Sequence, residues 1–315
     1  MTLQQLRYFC AVVSHKFNIS SAARALNTSQ PGISKQIGLL EQELGVDLMV
    51  RRRKRLVGIT DPGQTALLIA KRMLQDSQNL KLLGNELSKT QVGKLILVAT
   101  YVHARYWLPG IIPAYKKKYP HVQLELLHAS PEEVLRMVSS GEANIGICTR
   151  NLPIPDDLVS LPCHKLERCV LCPPHHPLLR KKKLTLEEIA KYPLVLQTAT
   201  HTGGWEVKRA LEKKGITPNI VLSIGDLEVA KVCVEQGIGI TVFPSQAIDP
   251  KRDKRIRAID ASHLFDSITS HVVLQKNYFL STYASDFISM FDQKWDNKSI
   301  HAAMSTALSE KKDLG

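Results

Sequence analysis

The side chains at positions 29 to 35 have the chemistry needed to contact DNA. Ser29, Gln30, Pro31, Ser34 and Lys35 stand at the start of a segment with helical periodicity. Short hydroxyl and amide side chains can reach base edges in the major groove, and a lysine can neutralise a phosphate. This segment is therefore predicted to be the recognition helix of a DNA-binding domain.

A basic run follows the recognition segment. Its members are Arg51, Arg52, Arg53, Lys54 and Arg55. The run lies between two short apolar stretches, so it is predicted to form the turn of a two-stranded wing. Cations there would contact the DNA backbone and supply salt-dependent affinity with little sequence information. A solvated loop without a partner is the alternative, and the helices that precede the run favour the wing.

Three threonines stand where predicted strands end and helices begin. They are Thr100, Thr149 and Thr202, the last of which precedes Gly203 and Gly204. Ligands of doubly wound sheets bind outside the carboxyl ends of the strands, where helix N-termini favour anions. Convergence of the three hydroxyls would form an anion site, whereas threonines that only cap helices are the alternative.

The spacing Cys169-x-x-Cys172-x-x-His175-His176 could bind zinc. On a strand, however, positions three apart point to opposite faces, which favours two separately buried thiols. No metal or cofactor site is therefore predicted. An enzyme acting on a small anion remains a remote alternative, because the sequence lacks the nucleophile-elbow, phosphate-loop, dinucleotide and zinc-protease motifs.

Three helices are predicted to position the DNA-contacting residues. The first is indicated by apolar residues three and four apart in residues 3–13. Ser20 is predicted to cap a short second helix, and Ser29, followed by Pro31, to cap the third. The buried stripe of the third helix is predicted to comprise Ile33, Ile37, Leu40 and Leu44.

A long helix is predicted after Pro62. Its apolar positions alternate by three and four, which is typical of a dimerising heptad seam. The seam comprises Ala66, Ile69, Met73, Asp76, Leu80, Leu83 and Leu87. A helix that packs on its own domain is the alternative. Two recognition helices in a dimer would predict a DNA site with dyad symmetry.

Beyond Gly93, apolar β-rich segments alternate with amphipathic ones in two rounds. This rhythm predicts a largely parallel sheet with helices on its faces, divided into two lobes. The net charge of +13 favours a polyanionic partner. Nine Lys or Arg residues against three acids in residues 1–60 place that surface in the N-terminal region. Six scattered cysteines and no signal-like N-terminus predict a cytoplasmic protein without a membrane partner.

The N-terminal pattern resembles that of LysR-type transcriptional regulators. The residues that carry the resemblance are Leu6, Phe9, Ala22, Ala23, Leu26, Ser29, Gln30, Pro31, Ser34, Ile37, Leu40, Glu41, Leu44, Gly45, Leu48, Arg51, Thr60 and Gly63. The resemblance implies an α/β fold with a winged helix-turn-helix at 1–60, a linker helix at 61–92 and a periplasmic-binding-protein-like effector domain at 93–293. It further implies a first lobe of 93–163 plus 268–293 and a second of 164–267, with a polar tail of no clear role at 294–315.

Within that family the sequence is similar to the cysteine-regulon, CysB-like branch, through its wing-to-linker segment and the block from Ala99 to Pro109. Members of that branch hold sulfate or an acetylserine-type effector with threonines, so the resemblance implies a small, sulfur-related anion here. The effector-binding residues are predicted to be Thr100, Tyr101, Val102, His103, Thr149, Thr202, Gly203 and Trp205.

The chain departs from the branch at Val102, His103, Leu166 and Trp205, which suggests a bulkier organic anion. His103 is expected to donate to it and Trp205 to pack on it. The alternative is that His103 is a surface residue and Trp205 packs between helices. A carboxylate is the competing effector class. The resemblance also implies promoter DNA and RNA polymerase as partners, and a homo-oligomer built as a dimer of dimers.

Overall fold

The structure is a computed structural model that describes residues 1–52, 55–87, 92–149, 153–198, 202–249 and 251–309. The chain divides into two compact units. One comprises Met1–Thr90 with Asn277–Ser281, and the other comprises Gln91–Lys276 with Thr282–Gly315. No helix within the described ranges is long and apolar enough to cross a membrane.

The first unit begins with three helices, α1 (Leu3–Ser14), α2 (Ile19–Ala25) and α3 (Gln30–Leu44). Ser29 caps α3 as predicted, with its hydroxyl accepting the Gly32 N–H at 3.2 Å. The cap of α2 is Asn18, whose side chain accepts the Ser21 N–H. The prediction of Ser20 as that cap was therefore wrong, because the helix begins two residues earlier and Ser20 lies inside it.

The three helices pack around a shared apolar core. Phe9, Val12, Ile33, Ile37 and Leu40 are fully buried in it. Leu44, predicted to extend this stripe, is 43% exposed because α3 ends there. Gly45 terminates the helix in the left-handed conformation, with φ 70°, which glycine adopts without strain.

A two-stranded antiparallel ribbon follows, formed by β1 (Met49–Arg52) and β2 (Arg55–Ile59). The predicted wing strands are confirmed. The long helix α4 (Asp61–Leu87) then begins, with the Thr60 hydroxyl accepting the Gly63 N–H. At 1.5 Å per residue it extends for about 40 Å. Ala66 and Met73 of the predicted seam pack on the helical core, whereas Ile69, Leu80 and Leu83 are exposed.

The second unit contains a five-stranded sheet in the order β4-β3-β5-β12-β6. Its strands are β3 (Gly93–Ala99), β4 (Val122–His128), β5 (Ile145–Thr149), β6 (Leu158–Leu166) and β12 (Ile268–Gln275). β4, β3 and β5 are parallel, and β12 is antiparallel to β5 and β6. β6 was not predicted, and it continues to Leu166, past the predicted lobe boundary at 163/164.

The helices of this first lobe are α5 (Leu108–Lys118), α6 (Pro131–Ser139), α10 (Thr282–Phe291) and α11 (Asn297–Ser309). A single π-helical turn over His103–Trp107 precedes α5. Helix α11 lies in the predicted tail and packs on α10 and β6, with Ile300 fully buried. The sequence indicated for residues 294–315 only a polar tail of no clear role, and the helix that packs on the lobe was not predicted.

The second lobe is built from two small sheets. β7 (Arg168–Cys172) is central between β10 (Thr241–Pro244) and β11 (Arg257–Asp260), and both pairings are antiparallel. β8 (Leu194–Gln197) and β9 (Ile220–Ile224) are parallel, with helices α7 (Leu186–Ile189), α8 (Thr202–Lys213) and α9 (Leu227–Glu235). The two predicted lobes are present. The expectation of a largely parallel sheet fails here, because β10 and β11 both run antiparallel to β7.

Candidate DNA-binding face and effector cavity

The N-terminal end of α3 presents the predicted DNA-reading residues. Gln30, Pro31 and Lys35 are exposed, and Ser34 is half-buried. The Ser20 hydroxyl on α2 donates to Oε1 of the exposed Gln30 at 3.1 Å, so the amide oxygen of Gln30 is held by α2. The helix thus buries its apolar stripe and offers hydroxyl, amide and ammonium groups on its opposite face, as a recognition helix requires.

The basic wing residues differ in their surroundings. Arg52 and Arg55 are exposed and face each other across the ribbon. Arg51 instead pairs with Glu41 of α3, with Nη2 2.7 Å from Oε2. Arg53 and Lys54 lie outside the described residues. Arg52 and Arg55 are therefore free to meet a phosphate, while Arg51 also attaches the wing to α3.

The second unit contains a cavity of about 330 Å³ between its lobes. The strands whose carboxyl ends reach it include the five that pair in parallel. The residues there are Thr100 after β3, His128 at the end of β4, Thr149 at the end of β5, Gln197 at the end of β8, and Gly225 with Asp226 after β9. The N-termini of α6 and α9 also reach the lining. Strand ends and helix N-termini together favour a bound anion.

Arg168, the first residue of β7, lines this cavity although it is only 4% exposed. Among the residues that the structure describes, no carboxylate lies within ion-pair distance of it and its Nε has no hydrogen-bond partner. Burial lowers the pKa of the guanidinium to about 10, an effect that Glu206 partly opposes. Burying a cation that has no carboxylate beside it among the described residues is costly, so a ligand anion would stabilise it.

Arg168 was not among the residues predicted from the sequence to line the site. The only signal was an arginine at the start of an otherwise apolar strand, RCVLC. An arginine at this position is normally interpreted as an exposed residue at the end of a strand. Only the packing of the two lobes encloses it.

Thr100 and Thr149 line the cavity as predicted, together with Tyr101 and Val102. His103 does not. Its ring is fully buried, contacts the rings of Trp107 and Phe291 at centroid distances of 5.8 and 6.1 Å, and lies with Nδ1 2.8 Å from Thr100 Oγ1. Burial lowers its pKa to about 3, with His164 acting in the same direction. The expectation that His103 donates directly to the effector is therefore corrected, because its ring does not line the cavity.

Trp205 also lies outside the lining. It is 40% exposed and stacks against the guanidinium of Arg209, 4.9 Å from the ring centroid. For Thr202 and Gly203 the structure describes the backbone at the start of α8, and their side-chain surroundings lie outside the described set. Gly204 is needed at this point, because a Cβ there would be 2.0 Å from the Gln197 carbonyl oxygen.

The segment after Thr100 joins the two lobes. Tyr101, Val102 and Tyr106 pack against an apolar core of the second lobe. The Tyr106 hydroxyl donates to Glu228 of α9, and Arg105 Nη2 lies 3.3 Å from the same carboxylate. The π-helical turn of the first lobe is therefore tied to the helix whose N-terminus borders the cavity.

Cys169 and Cys172 face different apolar cores on opposite sides of β7, as strand alternation predicts. Burial raises the pKa of Cys169 to about 12 and that of Cys172 to about 11, which disfavours the thiolates that zinc requires. His176 packs on Tyr192. Within the described ranges, no three potential ligands form a metal-binding cluster.

Comparison with known proteins identifies both parts of the chain. Residues 3–64 match the bacterial regulatory helix-turn-helix protein, lysR family, and residues 88–296 match the LysR substrate binding domain. The chain is 40% identical to the HTH-type transcriptional regulator SsuR of Burkholderia cenocepacia, over 92% of this chain and 94% of that protein. It is 36% identical to CysB of the same species, over 96% and 97%.

The crystal structure of the cofactor-binding domain of the Cbl transcriptional regulator has a TM-score of 0.65 at 32% identity, covering 68% of this chain and 94% of that one. The resemblance to the CysB-like branch is confirmed by these relatives, which are transcriptional regulators rather than enzymes. With a helix-turn-helix and an effector-domain match that together span most of its length, the chain belongs to the LysR family of bacterial transcriptional regulators.

Proposed function

We propose that this regulator binds promoter DNA of dyad symmetry and responds to a small sulfur-containing anion held between the lobes of its effector domain. The anion is sulfate, an acetylserine-like compound or an organosulfur compound, and the genes controlled are those of sulfur or cysteine metabolism. Its three working parts are proposed to be the segments expected from the sequence, 1–60, 61–92 and 93–293.

The assignment of an anionic effector depends on one observation, the burial of Arg168 at the wall of the cavity. Arg168 is 4% exposed, lines the cavity and has no carboxylate within ion-pair distance among the described residues, so the burial of its charge is unfavourable. An anion in the cavity would offset that cost. Thr100 and Thr149, at the ends of neighbouring parallel strands, supply hydroxyls beside it.

The sulfur assignment rests on similarity to SsuR, CysB and Cbl. The cavity volume of about 330 Å³ exceeds the needs of an inorganic ion, which favours an organic sulfur anion. A carboxylate is the second candidate, because a guanidinium binds carboxylates and sulfur oxyanions with the same paired N–H groups.

DNA binding is supported by the exposed polar end of α3 and by Arg52 and Arg55 on the wing. Exposed Ile69, Leu80 and Leu83 on α4 support a dimerising linker, which would set two recognition helices on one dyad. The family resemblance supports a dimer of dimers and RNA polymerase as a partner. A cytoplasmic location follows from action on promoter DNA.

Effector binding would act by shifting the balance between lobe arrangements. The cavity is bordered by Tyr101 of the first lobe and Asp226 of the second. The neighbouring residues Tyr106 and Glu228 tie the same two elements together. A ligand that contacts both walls has different affinity for different lobe arrangements, which is the condition for allosteric control.

The test is thermal unfolding of the full chain with sulfate, thiosulfate, acetylserines, alkyl and aryl sulfonates, and carboxylates, at constant ionic strength. A ligand at one hundred times its Kd adds about 2.7 kcal/mol to the free energy of unfolding. A shift with a sulfur compound that is lost in Arg168→Met, but kept in the exposed Arg180→Met control, supports the proposal. If only carboxylates raise the unfolding temperature, the effector is a carboxylate and not a sulfur compound. If Arg168→Met leaves the increase unchanged, the anion does not bind at the proposed site.

A further inference from the structure

The hydrogen bond between Thr100 and His103 lies directly beneath the effector cavity. Thr100 lines the cavity, and its Oγ1 is 2.8 Å from His103 Nδ1. The backbone around Thr100 and His103 is held in place, because the N–H groups of His103 and Ala104 both donate to the Thr100 carbonyl, at 3.0 and 3.1 Å. The His103 ring is fully buried, and its Nε2 has no hydrogen-bond partner within the described part of the chain.

A neutral imidazole carries one proton, so this hydrogen bond can run in two directions. If the Thr100 hydroxyl donates to Nδ1, the proton resides on Nε2, as a buried N–H without an acceptor. The hydroxyl then presents only lone pairs to the cavity. If Nδ1–H donates to Oγ1, the nitrogen left unpaired is an acceptor, and the Thr100 O–H is free to point into the cavity.

The second direction is favoured on two grounds. A buried N–H without an acceptor is rarer in proteins than an unpaired buried acceptor, and leaving such a donor unsatisfied costs about 1–3 kcal/mol. Lone pairs on Thr100 would also repel the anion that Arg168 is placed to bind, whereas a hydroxyl hydrogen would attract it.

We propose that His103 is a positioning residue whose Nδ1–H donates to Thr100, so that the Thr100 hydroxyl donates to an oxygen of the effector. The inference rests on the proposed function and deepens it. Thr100 and Arg168 then present only donors to the head group. Asp226, a carboxylate on the cavity wall, already accepts the Glu228 N–H at 2.8 Å. These two donors favour a head group that accepts hydrogen bonds and donates none, such as a sulfate or a sulfonate, over phosphate, whose P–OH near neutral pH would find no acceptor at either residue.

The direct test is the tautomer of His103 in the full chain with ¹⁵N-labelled histidine and saturating sulfate. Long-range ¹H–¹⁵N correlations, assigned by comparison with His103→Phe, identify the protonated nitrogen. Protonated Nδ1 is expected. A proton on Nε2 overturns the inference whatever the effector proves to be.

The binding test uses sulfate and ethanesulfonate on two variants. His103→Phe keeps a ring among Trp107 and Phe291 but removes the donor, and it should weaken binding roughly three- to tenfold as the Thr100 hydroxyl loses its orientation. His103→Asn places an amide N–H where Nδ1 was and should stay within about threefold of wild type. In the opposite tautomer, His103→Phe would release the Thr100 hydroxyl and strengthen binding. Strengthened or unchanged binding therefore overturns the inference.

Thr100→Val combined with His103→Phe separates positioning from packing. Because His103 acts through Thr100, the double variant should bind sulfate no more weakly than Thr100→Val alone, whereas additive losses contradict that role. Phosphate should bind at least tenfold more weakly than sulfate. Equal affinity would contradict the proposal that Thr100 and Arg168 present only donors to the head group. If no anion stabilises the wild-type chain, the proposed function fails, and the tautomer still decides the direction of the His103 hydrogen bond.

Discussion

The guanidinium of Arg51 lies 2.7 Å from the carboxylate of Glu41, so that a wing residue is attached to the recognition helix. Glu41 is 8% exposed, and its other oxygen accepts the N–H groups of Leu48 and Met49, each at 3.0 Å. One carboxylate therefore fixes the entry to β1 and the side chain of Arg51.

Arg51→Ala should lower both the stability of the N-terminal unit and its affinity for DNA. The pair is partly exposed, so we expect a stability loss of about 1 kcal/mol. Arg52→Ala should weaken DNA binding without changing stability, because no protein partner of Arg52 is found in the described residues. Calorimetric unfolding and fluorescence anisotropy against salt concentration measure the two effects. Equal unfolding temperatures for the two variants would contradict the structural role of Arg51.

Gln30→Ala should relax DNA sequence preference, at a cost of about 1–3 kcal/mol in discrimination, because we propose that its amide reads a base edge. Ser20→Ala should act in the same direction but less, because it removes only the hydrogen bond that orients Gln30. Competition between a selected site and random DNA gives the measurement. Arg52→Ala is the matched control and should weaken binding to both DNAs alike. Equal losses on both for Gln30→Ala would exclude it from base reading.

Arg168→Met should raise the stability of the effector-free protein while abolishing its response to anions. Methionine has similar length and no charge, and replacing a poorly compensated buried charge by an apolar side chain is often stabilising by about 1–4 kcal/mol. Urea unfolding followed by tryptophan fluorescence reports this unit alone, because all three tryptophans, Trp107, Trp205 and Trp295, lie in it. Destabilisation together with an intact anion response would mean that Arg168 has a structural role.

Much of this architecture could be predicted because its signals are local. The cap at Ser29, the proline that follows and the hydrophobic spacing of α3 depend only on neighbouring residues. The threonines at 100 and 149 were found because the carboxyl ends of parallel strands meet at one edge of a sheet. Such rules need no knowledge of tertiary packing.

The residues that were misjudged depend on long-range packing. Arg168 is buried by the meeting of two lobes, which no spacing within its strand reveals. His103 was expected to face a ligand, but it opens a π-helical turn that places its ring inward against Phe291, a residue far along the chain. Ile300 and Met304 of α11 are too few to indicate a buried helix without knowledge of the strand beneath them.

The stability of the second unit, which comprises Gln91–Lys276 with Thr282–Gly315, should fall as the pH drops below 6.5. His103 should account for part of that fall. The pKa of His103 is about 3 in the folded protein, against 6.5 for a free histidine. Between these values the unfolded chain binds a proton that the folded chain does not. The stabilisation is therefore complete above pH 6.5 and decreases toward pH 3, by up to about 1.4 kcal/mol per pH unit.

Urea unfolding of wild type and His103→Phe at pH 7, 6 and 5, followed by tryptophan fluorescence, isolates this contribution. The variant retains a buried ring but cannot titrate, so its stability should depend less steeply on pH. His176, whose pKa is also lowered by burial, remains in both proteins and cancels in the difference. Parallel stability curves for the two proteins would mean that His103 takes up a proton in the folded state. Its imidazole would then not be neutral, as the proposed hydrogen bond to Thr100 requires.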